Sequence, residues 1–209
     1  RALEDMVALM EANSWQVKEN PLVYFSALAE LAMSAKRQGK YDEFFRVTNK
    51  MREKAAVLQT SRLEKDKIKA VLLGNYSTQL EICEETGDFP AGEQLIPEIQ
   101  AQLEENEKAM STKVLINLLL NASVIYFGQR KYSDSLAWLN RLLNDTRHDA
   151  RSDTYRSAKI FSLIVHFEMG NQDLLEYITR STYRYLYRKD RLYQFENILL
   201  DFMRKKMPR

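Results

Sequence analysis

Four glycines, Gly39, Gly87, Gly128 and Gly170, stand between apolar-periodic segments at separations of 48, 41 and 42 residues. Glycine enters the left-handed backbone region at little steric cost, which is what a chain needs just past a helix end. An aromatic follows closely in the first three: Tyr41 in "RQGKYDEFF", Phe89 in "ETGDFPAGE" and Tyr132 in "FGQRKYSDSLAWL". A ring there can plug the gap between the two helices of a hairpin. One hairpin cannot bury its own apolar face, so a helix–glycine–aromatic–helix unit at this period restricts the fold to stacked hairpins.

The segments between the glycines carry helical periodicity. Phe25, Leu28, Ala29, Leu31 and Ala32 fall on one stripe, and Asn20-Pro21 supplies a cap residue and a first-turn proline ahead of it. Leu136, Leu139, Leu142 and Leu143 form a second stripe. No segment alternates for long enough to predict a strand, and only 6 Gly and 4 Pro in 209 residues disfavour a many-turned β protein. The expectation is an all-α chain of about ten helices, folded as a single domain over 1–209. Pro97, in "QLIPEIQ", leaves two options: a kinked helix beginning at Pro90, or a helix that starts at Pro97 itself.

The turn and second helix of each unit, "GKYDEFFRVTNKM" and "QRKYSDSLAWLNRLL" most plainly, resemble the tetratricopeptide-repeat (TPR) family. The likeness covers residues 20–208 loosely. It departs where the family places a small residue three positions after the turn aromatic: here stand Phe44, Gly92 and Ser135. The resemblance implies an irregular α-α superhelix of about four to five hairpins, with the C-terminal helix as its cap. It also implies a non-enzymatic scaffold that binds a protein or peptide on its concave face. The C-terminal "RSTYRYLYRKDRLYQFE" is similar to the endings of uncharacterised bacterial helical-repeat proteins, a likeness that carries no function with it.

Catalysis finds little support. His166, in "HFEMG", has the H-x-E of a zinc deaminase without its P-C-x-x-C partner, and no H-E-x-x-H occurs. His166 reads as a packed histidine in an apolar run, and His148 as an exposed loop residue. The single cysteine, Cys83, excludes an intrachain disulfide and a multi-cysteine zinc site, and reads as a small core filler. The glycines are isolated, so no phosphate-binding loop is present. We therefore expect no enzyme, no catalytic residue, no metal and no cofactor. The longest apolar run, Val114–Leu120 broken by Asn117, is too short to span a bilayer, and no leader pattern opens the chain. A cytoplasmic location is the expectation. Because residue 1 is Arg, a preceding N-terminal region is allowed for.

Two binding features remain. Lys113, Asn117 and Asn121 stand four residues apart on a greasy helix, and Asn75 and Gln79 repeat that spacing one unit earlier. Residues at i, i+4 and i+8 share a helix face. In TPR proteins first helices line the groove, so the resemblance implies that these amides and the lysine grip an extended peptide; the alternative is amide bonding between neighbouring hairpins. The second feature is "RSTYRYLYRKDR", residues 180–191, with five cations and three tyrosines. A turn of 100° per residue predicts Leu174, Ile178, Tyr185 and Leu192 inward, with Arg180, Tyr183, Arg184, Tyr187, Arg188 and Arg191 outward. Arginines among exposed rings suit an acidic protein segment, a nucleic acid, or plain solvation of a last hairpin.

Charge is uneven along the chain. Residues 81–107 hold nine acids and no Lys or Arg, whereas residues 180–209 carry nine bases against three acids. Self-association, Glu81–Glu107 of one copy meeting the basic C-terminus of another, is a third expectation.

Overall fold

The computed structural model describes residues 2–106, 110–145, 153–188 and 193–206. Among these the chain is all-α, with eleven helices and no strand. They are α1 (Ala2–Ala12), α2 (Ser14–Glu19), α3 (Pro21–Arg37), α4 (Tyr41–Val57), α5 (Arg62–Thr86) and α6 (Phe89–Asn106). They continue with α7 (Thr112–Gly128), α8 (Tyr132–Asn144), α9 (Asp153–Glu168), α10 (Gln172–Arg188) and α11 (Gln194–Lys206). Helices pack on their chain neighbours, α3 on α4, α8 on α9 and α9 on α10. That sequential packing is compatible with a helical-repeat fold.

The glycine turns form largely as the sequence predicts. Gly39, Gly87 and Gly170 have φ of +70°, +73° and +71°. At Gly39 and Gly170 the turn closes with paired bonds: Lys40 N–H to the Ala35 carbonyl at 3.0 Å and Asn171 N–H to the His166 carbonyl at 3.1 Å. These are the outer bonds of a Schellman closure, which satisfies carbonyls orphaned at a helix end. The third turn differs. There Arg130 takes the left-handed backbone, φ +60°, and Lys131 N–H reaches the Tyr126 carbonyl at 3.0 Å. Gly128 still lies in α7, and what its lack of a side chain permits is contact: a Cβ there would sit 2.4 Å from the Phe89 ring.

Helix starts are set by local chemistry. Ser61 and Glu64 form a reciprocal capping box before α5, the Ser61 N–H donating to Glu64 Oε2 at 3.1 Å and the Glu64 N–H to Ser61 Oγ at 3.4 Å. Asp88 Oδ1 accepts from the Ala91 N–H at 3.2 Å at the start of α6. Pro21 occupies the first turn of α3 as expected, but the Asn20 side chain makes no cap bond. Helix α6 runs through Pro97 rather than starting at it, so the Glu93 carbonyl lacks its intrahelical donor.

The chain divides into two compact units, Arg1–Ile82 with Pro97–Val114, and Cys83–Ile96 with Leu115–Arg209. In the first, Tyr24, Phe25, Leu28, Phe44 and Met51 form a fully buried centre. Its α1 is tied in by Glu11, which accepts from Tyr24 Oη at 2.6 Å and pairs with Lys50 at 2.5 Å. In the second, Leu163, Leu175, Leu186, Leu200 and Met203 join α9, α10 and α11. The outer face of α11 is not that of a polar cap, because Phe195, Ile198 and Phe202 are exposed on it.

Candidate functional site

The basic stretch was expected to turn Leu174, Ile178 and Tyr185 inward. Ile178 and Tyr185 are half-buried and pack against the core of the second unit, but Leu174 is exposed, and the fully buried face of α10 is Leu175, Thr179, Thr182 and Leu186, all at most 3% exposed. Two threonines occupy core positions, and apolarity counted along the chain cannot anticipate a polar residue there. The shift of one position carries the arginines and tyrosines with it. Arg191 and Leu192 lie outside the described residues, as do His148 and Glu107, and Arg188 is described only in its backbone.

Arg180 and Arg184, one turn apart on α10, border a cleft of about 800 Å³ within the second unit. Its other walls are Tyr155 and Lys159 of α9 and Tyr177, Ser181 and Tyr185 of α10. Lys159 is the residue that sequence reading missed. Its ammonium lies over two rings, 5.2 Å from the Tyr155 centroid and 5.5 Å from that of Tyr185. The rings themselves meet edge to face at 5.6 Å. Burial lowers the Lys159 pKa below its ordinary 10.5, and no carboxylate reaches it among the described residues. Burial likewise raises the Tyr155 hydroxyl, which stays a proton donor at neutral pH. Arg180 is held by Glu176 at 2.5 Å, whereas Arg184 has no carboxylate partner among the described residues. Of the remaining rings, Tyr183 is half-buried and stacks on exposed Tyr187 at 6.0 Å and 14°. Among the described residues, three cations and no acid line this cleft.

The amide stripe divides by burial. Lys113 is exposed and Asn117 half-buried, but Asn121, Asn75 and Gln79 are buried. Asn75 donates to Met51 Sδ at 3.2 Å, inside the first unit. Amides this enclosed have packing neighbours rather than solvent around them, and helical spacing alone does not distinguish the two situations.

The acidic stretch carries far less unpaired charge than its composition suggests. Glu81 pairs with Lys36 at 2.7 Å, Glu98 with Arg52 at 3.3 Å and Glu105 with Lys69 at 3.5 Å, all in the first unit. In the second, Lys131 at 2.5 Å and the Gln129 amide at 2.6 Å hold the Glu93 carboxyl below the usual carboxylate range. Each pair is half-exposed and contributes modestly to stability. Together they partly offset four of the nine acids that a second copy's basic end would meet.

The candidate chemical groups are enclosed. Cys83 is buried, and burial, with Asp88 and Glu84 nearby, pushes its thiol up to about 11, so at neutral pH it is not a thiolate. His166 is buried, and its Nδ1 accepts from Asn171 Nδ2 at 3.1 Å, which requires the neutral ring with its proton on Nε2. Burial lowers the His166 pKa below 6.5. The unfolded chain therefore takes up the proton first, so this contribution to stability is complete above pH 6.5 and is lost as pH falls through the folded value. His166→Gln should flatten the slope of Tm against pH below 6.5. Circular dichroism melts would check this, and an unchanged slope would place the titration elsewhere. No group of three metal-ligating side chains and no helix long and apolar enough to cross a membrane occurs among the described residues.

No family model matches the chain, and no curated protein or solved structure matches it either.

Proposed function

We propose that this chain is a non-enzymatic binding scaffold, a TPR-like α-solenoid, that engages an acidic segment of a partner protein through the cleft between α9 and α10. One observation carries the reading: Lys159, Arg180 and Arg184 converge with three tyrosine rings on a concave surface that no carboxylate lines among the described residues. Arginine and tyrosine supply most binding energy at protein contacts, through planar hydrogen-bonding forks and large rigid rings. An anionic segment entering the cleft completes the charge that Lys159 and Arg184 lack.

Nucleic acid is the second reading, favoured by exposed Tyr187 beside the arginines. Against it, Tyr183 already covers one face of that ring, which halves the platform for stacking a base. Fluorescence anisotropy with a labelled Glu-Gly repeat peptide and with a labelled oligothymidine separates the two. The peptide should bind the wild type and lose about tenfold or more in affinity on Arg184→Glu, with helicity unchanged. Oligothymidine binding that falls with salt at about −0.7 in log–log slope per phosphate contact, with the peptide silent, would replace the protein reading.

A further inference from the structure

We propose that the α9–α10 cleft is built for a phosphate monoester carried on the partner segment, with a phosphorylated serine or threonine side chain as its ligand. The inference rests on the acidic-segment reading above and sharpens it.

The number and kind of donors distinguish a phosphate from a carboxylate. The cleft gathers the Lys159 ammonium, two guanidinium groups, and the hydroxyls of Tyr155, Tyr177, Ser181 and Tyr185. A carboxylate offers about four lone-pair sites on two oxygens, which Arg184 and one neighbour would saturate. A phosphate monoester brings three terminal oxygens and a charge of about −1.5 to −2 at neutral pH. That matches three converging cations, one of which is partly neutralised by Glu176 at 2.5 Å. The pairing also holds Arg180 in place at the rim, so less side-chain freedom is lost when a ligand arrives.

A half-buried ammonium such as that of Lys159 is unfavourable without a counter-ion, and the faces of Tyr155 and Tyr185 offset only part of its desolvation. The rings fix the ammonium at the α9 wall of the cleft, facing no acid among the described residues. Its desolvation strengthens its attraction for a dianion relative to a water-exposed lysine. The acidic stretch of a second copy is a poor occupant, since Glu81, Glu93, Glu98 and Glu105 are paired within their own fold.

The test uses the full chain and three labelled peptides of one Glu-Gly repeat, carrying serine, glutamate or phosphoserine at the centre, read by fluorescence anisotropy. The phosphoserine form should bind about tenfold or more tighter than the glutamate form. Lys159→Met, which keeps the stem against the rings, should bring that ratio to within about twofold, with melting temperature and helicity as controls. If that variant does not fold, Arg184→Gln should reduce the same ratio. Equal binding of the glutamate and phosphoserine forms to the wild type would overturn the phosphate site while leaving the acidic-segment scaffold intact. No binding of any of the three would overturn both. Tight phosphoserine binding that Lys159→Met and Arg184→Gln both leave unchanged would place the phosphate elsewhere and overturn this assignment.

Discussion

Replacing Phe44 by alanine is expected to destabilise the chain by about 3–5 kcal/mol, the usual cost of emptying a phenylalanine site in a core. The expectation runs against the repeat resemblance, which would place a small residue at this position and would read the change as restoring the pattern. Phe44 is fully buried, and its ring stands edge-on to Phe45 at 5.6 Å. It belongs to the same buried cluster as Tyr24, Phe25, Leu28 and Met51. Alanine would leave a void that α3 and α4 cannot close without repacking several of these side chains. Urea titration followed by circular dichroism measures the loss. Unchanged or increased stability would mean that the α3–α4 pair tolerates a TPR-like small residue, contrary to this packing.

Gly128→Ala is expected to lower stability by about 1–3 kcal/mol, although alanine is the better helix former by about 1 kcal/mol. The added Cβ would lie 2.4–2.5 Å from three atoms of the Phe89 ring, which moves only as a rigid body. At Gly92 the equivalent clash is with Ile125 Cδ1 at 2.5 Å, the free end of a flexible side chain, so Gly92→Ala should cost less. Combining Gly128→Ala with Phe89→Leu should recover most of the loss, because the smaller side chain vacates the space. Thermal melts of the three variants settle the order. A stabilised Gly128→Ala would show that helix propensity outweighs the Phe89 contact.

Both predictions concern the step from turn to second helix, where the sequence was most and least informative at once. The aromatic after each turn was legible and is half-buried in all three units: Tyr41, Phe89 and Tyr132. The residue three positions later varies from unit to unit: Phe44, Gly92 and Ser135. Its meaning differs each time: Phe44 fills a core, Gly92 admits Ile125, and Ser135 meets Ser123 Oγ at 2.9 Å. Such differences arise from how close two helices approach, a distance set by every side chain between them.

The proposed binding cleft shows the same division. That residues 180–191 concentrate charge and aromatics is plain in the sequence, and two of its arginines do border the cleft. Which tyrosines join them was not legible, since the face of α10 is set by Thr179 and Thr182 packing inward. Tyr155 and Lys159 stand more than twenty residues earlier on α9, in a stretch with no charge run or motif to mark it.

By itself the sequence determined the all-helical class and the left-handed turns at Gly39, Gly87 and Gly170. Those features depend on hydrogen bonds and dihedral angles among residues within four or five positions of one another, so local order encodes them. Tertiary structure alone decided that Glu81, Glu93, Glu98 and Glu105 are paired, and that Lys159 meets Arg180 and Arg184 in one cleft. Those outcomes depend on packing between helices far apart in the chain, where side-chain volume and the burial of charge decide and spacing carries no record.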